Sequence, residues 1–247
     1  MNPDISQILD EWGYTGPDEL SVRKIVGVDG QTRIQMRVDL GILQMEWSGR
    51  PDGQKPYGKS SFLNYFREKL EDQEGPDTQN MLSRNDCIKL QKESLQYYYR
   101  RICMFELEAY TEAFRDAEHN LEIMDLVKQF AENETDQLSF EQYRPFVIMH
   151  RTRARSLIAK ENKNKALDYI EEGIKEITNF FRSYAREDLL KERQEIITLR
   201  EMAEKLKKSN PKSQEEKLRV ELTVAVENEN FEQAAEIRDT LKKLRLS

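Results

Sequence analysis

The stretch SRNDCIKLQKESLQYYYRRICMF, residues 83–105, decides the fold. Ser83 stands three residues before Asp86, a capping-box-like helix start. Behind it, apolar side chains return at helical intervals at Ile88, Leu95, Tyr98, Ile102 and Phe105. The spacing predicts a long helix with those five residues on its core face. Beyond this point the helical period is not lost. Glu112-Ala113-Phe114 begins a partner helix that runs to about Phe130. A polar stretch, Asn133 to Ser139, separates this pair from a second one near 141–160 and 164–183. Residues 187–208 read as a charged helix with Glu187/Lys191, Glu201/Lys205 and Glu204/Lys208 at i,i+4, ended by Asn210-Pro211.

Upstream of Ser83 the pattern is mixed. Asn2-Pro3 opens a short helix that sets Ile5, Ile8, Leu9 and Trp12 on one face, and Gly13 to Asp18 breaks it. Val22 to Val28 reads as a strand, and Asp29-Gly30 is a hairpin signal. On the return strand Ile34, Met36, Val38 and Leu40 alternate with Arg33, Gln35, Arg37 and Asp39. At Gly41 the phase flips to Leu43, Met45 and Trp47, which implies a bulge or turn at Leu40-Gly41. Pro51-Asp52-Gly53 makes another turn, and Phe62, Leu63, Phe66 and Leu70 stripe a helix behind it. The expectation is a mainly α chain with a small α+β head holding a three-stranded antiparallel sheet. Gly75-Pro76-Asp77 places the first boundary, giving a head at 1–76, helical hairpins at 83–208 and a two-helix tail at 213–247.

Composition narrows the function. Of 247 residues 38% are hydrophobic and 34% charged, and 39 basic side chains face 46 acidic ones. That is less apolar and more charged than an average globular chain, as long helices with a solvated face would be. The net charge of −7 argues against duplex nucleic acid as the partner. No apolar run approaches the roughly 20 residues of a membrane span, and the acidic N-terminus does not read as a signal peptide. Cys87 and Cys103 lie sixteen residues apart on one helix, too far to bridge, and form no CxxC pair. A reducing cytoplasm is the expected compartment.

Signals for chemistry are weak. GxxxxGK[ST], GxSxG, HExxH and GxGxxG do not occur, and His119 and His150 have no partner at metal spacing, so both read as packing or solvated residues. No catalytic, metal or cofactor residue is expected, and the chain reads as a non-enzyme. Gly49-Arg50-Pro51-Asp52-Gly53 reads as a turn more readily than as a ligand loop. Charge is segregated: residues 104–141 hold eleven acidic and two basic side chains, and 144–165 hold seven basic and one acidic. The two segments either neutralise each other within the fold, which is the favoured reading, or leave Arg144, Arg151, Arg153 and Arg155 to line a groove for an acidic peptide or nucleic acid. Tyr97, Tyr98 and Tyr99 beside Phe105 fit a core better than a stacking platform.

Two resemblances add to this. The helix pairs resemble tetratricopeptide-like repeats, the second through Ala154, Leu157, Ala166, Ile170 and Gly173, the first through Tyr110, Ala113 and Ala117. Ala113 and Ala166 are 53 apart, against roughly 34 in a tandem array, so small residues that let two helices approach closely explain the pattern equally well. The tail, FEQAAEIRDTLKKL from Phe231 to Leu244 preceded by Leu218, Leu222 and Ala225, closely resembles the UVR motif of UvrB and UvrC, with the core FExAAxxRDxLxxL. The whole chain is similar to a bacterial family of UVR-motif proteins, without an assigned activity, that share an LGxLQMEWxGRPDG-type segment, here Leu40 to Gly53.

The UVR resemblance implies a two-helix hairpin that contacts protein, as in UvrB, UvrC, ClpC-type unfoldases and McsA-type adaptors. Its contact residues here would be Leu218, Leu222, Phe231, Glu232, Ala234, Ala235, Arg238, Asp239, Leu241 and Leu244. Phe231 is expected to close the hairpin over Leu222 and Val226. The partner would be another protein or a second copy of this chain. The implied role is an adaptor or scaffold; the alternative is an accessory factor recruited to nucleotide-excision repair or to a stress-response protease complex.

Overall fold

The computed structural model describes residues 4–14, 16, 19–71, 81–190, 192–208, 211–228 and 230–244; for 211–217, 227, 243 and 244 it describes the backbone alone. The expected signals at Asn2-Pro3, Asp18, Gly75-Pro76-Asp77 and Asn210 lie outside these residues. The chain is mainly helical, with one three-stranded antiparallel sheet near its N-terminus. It forms two compact units, Met1–Ile158 and Ala159–Ser247.

The first unit opens with α1 (Ser6–Glu11) and the strands β1 (Val22–Val26), β2 (Thr32–Val38) and β3 (Gly41–Glu46), in the order β1-β2-β3. Gly30, with φ +77°, makes the Asp29-Gly30 hairpin, where a side-chain-bearing residue would be strained. Ile34 pairs with Met45 and Met36 with Val22. The flip at Gly41 is a tight turn, and Leu40, expected on the apolar face, sits in it exposed. The α1 stripe also departs from expectation, since Ile5 and Ile8 are exposed and Trp12 instead receives the Arg23 guanidinium at 4.1 Å from its ring centre.

Helices α2 (Phe62–Glu71), α3 (Arg84–Glu106), α4 (Tyr110–Phe130), α5 (Glu134–Glu141) and α6 (Arg144–Ile158) complete this unit. Ile34, Met36 and Met45 of the sheet share one core with Cys103 and Met104 of α3, Ala113 of α4 and Ala154 of α6. The helix α3 starts as expected: Ser83 Oγ accepts from the Asp86 amide and donates to its carboxylate at 2.8 Å. Ile102 and Phe105 pack against that core as expected, but the buried face is shifted in the first half of the helix. Ile88 and Leu95 are 39% and 49% exposed, while Cys87, Leu90, Glu93, Tyr97, Arg100, Arg101 and Met104 are buried. Reading apolar residues alone misses this face, because three charged residues lie on it.

Two of those charges, Arg100 and Glu93, have a structural account. Arg100 grips Asp116 of α4 with both Nε and Nη2, at 2.7 and 2.8 Å, and its Nη1 donates to the Glu46 carbonyl at 2.9 Å. One guanidinium thus ties the end of β3 to the α3–α4 hairpin. Removing one partner of such a pair leaves an uncompensated buried charge, at a cost of roughly 3–5 kcal/mol. Glu93 accepts from the amides of Phe62 and Leu63 at 2.7 and 3.1 Å, so a side chain of α3 caps the N-terminus of α2. The Leu82 amide donates to the Phe130 carbonyl at 2.7 Å, joining the open ends of α3 and α4.

The polar stretch at 133–139, expected to separate helix pairs, is itself helical. The Asn133 side chain caps α5 by accepting from the Asp136 amide at 2.9 Å, Glu134 and Asp136 sit in its first turn, and Phe140 is buried.

The second unit holds α7 (Lys163–Ser183), α8 (Gln194–Lys208), α9 (Pro211–Glu227) and α10 (Phe231–Leu244). On α7 Ala166, Ile170, Gly173, Ile177 and Phe181 are buried, and on α8 Ile196, Leu199 and Ala203. The charged helix starts at Gln194, seven residues later than its charge spacing predicts, after a 3-10 turn at Glu187–Leu189. Pro211 does not only end a helix; it opens α9, where its missing N–H costs nothing. The helices expected to pair as a second hairpin, α6 and α7, fall in different units.

Candidate protein-docking hairpin

Helices α9 and α10 pack antiparallel on a very small core. Ala225, Ala234 and Ile237 are buried, with Leu218, Leu222 and Leu241 packed against them. Small residues at 225 and 234 let the two backbones approach, as the sequence pattern requires. The turn is fixed by polar contacts: the Asn230 amide donates to the Ala225 carbonyl at 2.9 Å, and the Asn230 side chain accepts from the Gln233 amide at 3.3 Å.

Phe231 stands elsewhere than expected. It is 68% exposed, and Val226 is half-exposed, so no ring closes over Leu222 and Val226. The space between the two helices is taken by the six residues of that core, and Phe231 is not among them. Val220 and Val224, one turn apart on α9, are exposed as well. Glu232 is exposed and Ala235 half-buried. Arg238 and Asp239 form a surface ion pair at 3.2 Å. The side chain of Leu244 lies outside the described residues.

The four arginines of α6 do not line one groove. Arg144 reaches Asp125 of α4 at 2.8 Å and donates through Nε to Glu141 of α5 at 2.7 Å. Arg151 pairs with Glu118 of α4 at 3.3 Å. The acidic and basic segments therefore meet within the unit, as the charge segregation favoured. Arg153 lies half-buried over the Phe105 ring at 4.8 Å, and Arg155 is exposed.

Other candidate groups are spent on structure. His119 contacts the Glu93 carboxylate at 3.0 Å and stacks on Tyr97 with ring centres 3.7 Å apart, so Tyr97 is core. Arg50, in the Gly49–Gly53 turn, pairs with Asp52 at 3.0 Å and lies over the Phe62 ring. Both cysteines are free and buried, and burial pushes each thiol up to about 12, away from the thiolate.

One arrangement had no sequence signal beyond two adjacent arginines. Arg101 is 1% exposed, its Nε donates to His150 Nδ1 at 3.2 Å, and its Nη1 meets no acceptor among the described residues. Burial pulls its pKa down to about 10, so it remains a cation at neutral pH. Burial, then the charges of Arg101 and Arg153, lowers His150 to about 3 and keeps it neutral.

Among the described residues no helix is long and apolar enough to cross a membrane. Compared with known proteins, the chain matches neither a curated protein nor a solved structure. A family model does match its tail: residues 215–247 fit UVR, the UvrB/uvrC motif, a protein-contact element, and that match places the motif on α9 and α10.

Proposed function

We propose that this protein is a non-catalytic adaptor or scaffold that docks to another protein through the α9–α10 hairpin. The observation that carries the reading is Phe231, an aromatic ring 68% exposed at the start of α10 within the matched motif. Exposed aromatic side chains with apolar neighbours are typical anchors of protein interfaces. A two-helix hairpin with a core of six residues also gains from a partner that covers its remaining apolar side chains. The absence of an enzymatic role is supported by the buried Glu93 and Asp116 and the half-buried His119, which are all committed to caps, ion pairs and stacking.

The motif match also favours a second reading, in which the hairpin recruits the chain to an excision-repair or protease complex. Duplex DNA is not the proposed partner, because Arg144 and Arg151 are neutralised by Asp125, Glu141 and Glu118. The test is capture by the full-length chain from a lysate, with Phe231→Ala in parallel. The expected result is a defined partner retained by the parent and lost with the variant, at an unchanged helical signal. Retention of that partner by Phe231→Ala would overturn docking through this hairpin.

A further inference from the structure

Two guanidiniums of the first unit, Arg101 buried and Arg153 half-buried, lack a carboxylate among the described residues. Arg101 of α3 and Arg153 of α6 form no ion pair among the described residues, although Arg100, next in sequence, holds Asp116 with two hydrogen bonds. The carboxylate whose field Arg101 feels is that same Asp116, already committed to Arg100 and Arg115. The two cations belong to one cluster. Arg101 is bonded to His150, the His150 ring lies 5.3 Å from Phe105, and Phe105 carries Arg153 on its face. His150 accepts at Nδ1, so its neutral ring keeps an N–H at Nε2. Arg101 Nη1 is a buried donor with no acceptor, and such groups are rare in folded proteins.

We propose that Arg101, His150 and Arg153 form a binding site for a doubly charged tetrahedral oxyanion, phosphate or a phosphate monoester, between α3 and α6. Charge balance selects the ligand: two guanidiniums without counter-ions match a dianion, whereas a carboxylate would neutralise one. Guanidinium forks and a neutral N–H donate to several oxygens of a tetrahedral group, and the Phe105 and Phe146 rings beside His150 lower the dielectric around them. Arg153 is the half-buried member of the three.

The test is calorimetric titration of the full-length protein with inorganic phosphate at constant ionic strength, chloride being exchanged for phosphate. Saturable binding with Kd below ~1 mM is expected. Arg153→Gln, at the half-buried position, should weaken it by about tenfold or more. Arg101→Met should abolish binding while leaving the melting temperature of the phosphate-free protein unchanged or higher, since it removes an unpaired buried charge. O-phosphoserine distinguishes the sources: tenfold tighter binding than phosphate identifies a monoester ligand, and equal or weaker binding identifies the free ion. Acetate binding as tightly as phosphate, a phosphate response no larger than that of chloride, or an Arg153→Gln protein that folds and binds unchanged would each overturn the assignment.

Discussion

His150 is a buried side chain that the fold holds neutral. Its pKa lies near 3 in the folded chain, against about 6.5 in an unfolded one. The native state therefore binds fewer protons than the unfolded state between those values. The stabilisation is fully present above pH 6.5 and is lost as pH falls toward 3, at up to ~1.4 kcal/mol per unit. His150→Asn keeps an acceptor for Arg101 Nε and removes the titration. A series of thermal melts from pH 7.5 to 4 should show a shallower acid slope for the variant than for the parent; equal slopes would mean that other groups control the acid limb. Residues of this kind were the least legible in the sequence. A buried Glu93, Arg100 or Arg101 is identical in one-letter code to a solvated one, and only the partner 16 to 49 positions away shows where it lies. Ile88 and Leu95, conversely, read as core and are exposed.

Among the elements, the tail hairpin separates stability from contact. Ile237 is the largest of the buried side chains in its core, and Phe231 lies outside it. Ile237→Ala should cost roughly 2–4 kcal/mol and melt the hairpin locally, whereas Phe231→Ala should change stability by less than about 0.5 kcal/mol. Hydrogen exchange at the α9 and α10 amides checks both: rapid exchange is expected with the first substitution and parental protection with the second. The hairpin was legible because its cue is local. Alanines at 225 and 234, with Leu222 and Ile237 one turn away, specify close approach without reference to the rest of the chain. The sheet was legible for the same reason, through strict alternation and Asp29-Gly30. The helix α5 was not, because its cap is a single asparagine and most of its residues are polar.

For the molecule as a whole, punctuation in the sequence suggested a separate head, but the sheet shares its core with α3, α4 and α6. Met36→Ala, in β2, should therefore destabilise the helices of the first unit together with the sheet, by about 2–5 kcal/mol. Chemical unfolding of the full chain followed by amide exchange should show the strand and α3–α4 amides losing protection in one step. Loss of the strands alone would make the head an independent domain. Pairing across that core also bears on the order in which a growing chain can settle. Glu93 caps α2 from 30 residues downstream, and Arg100 anchors a strand that ends 54 residues before it. During synthesis the first turn of α2 must therefore wait for α3, and the sheet for the same helix. The strands are made before the helices that complete their core, an interval in which their apolar side chains are available to a chaperone or to a neighbouring nascent chain.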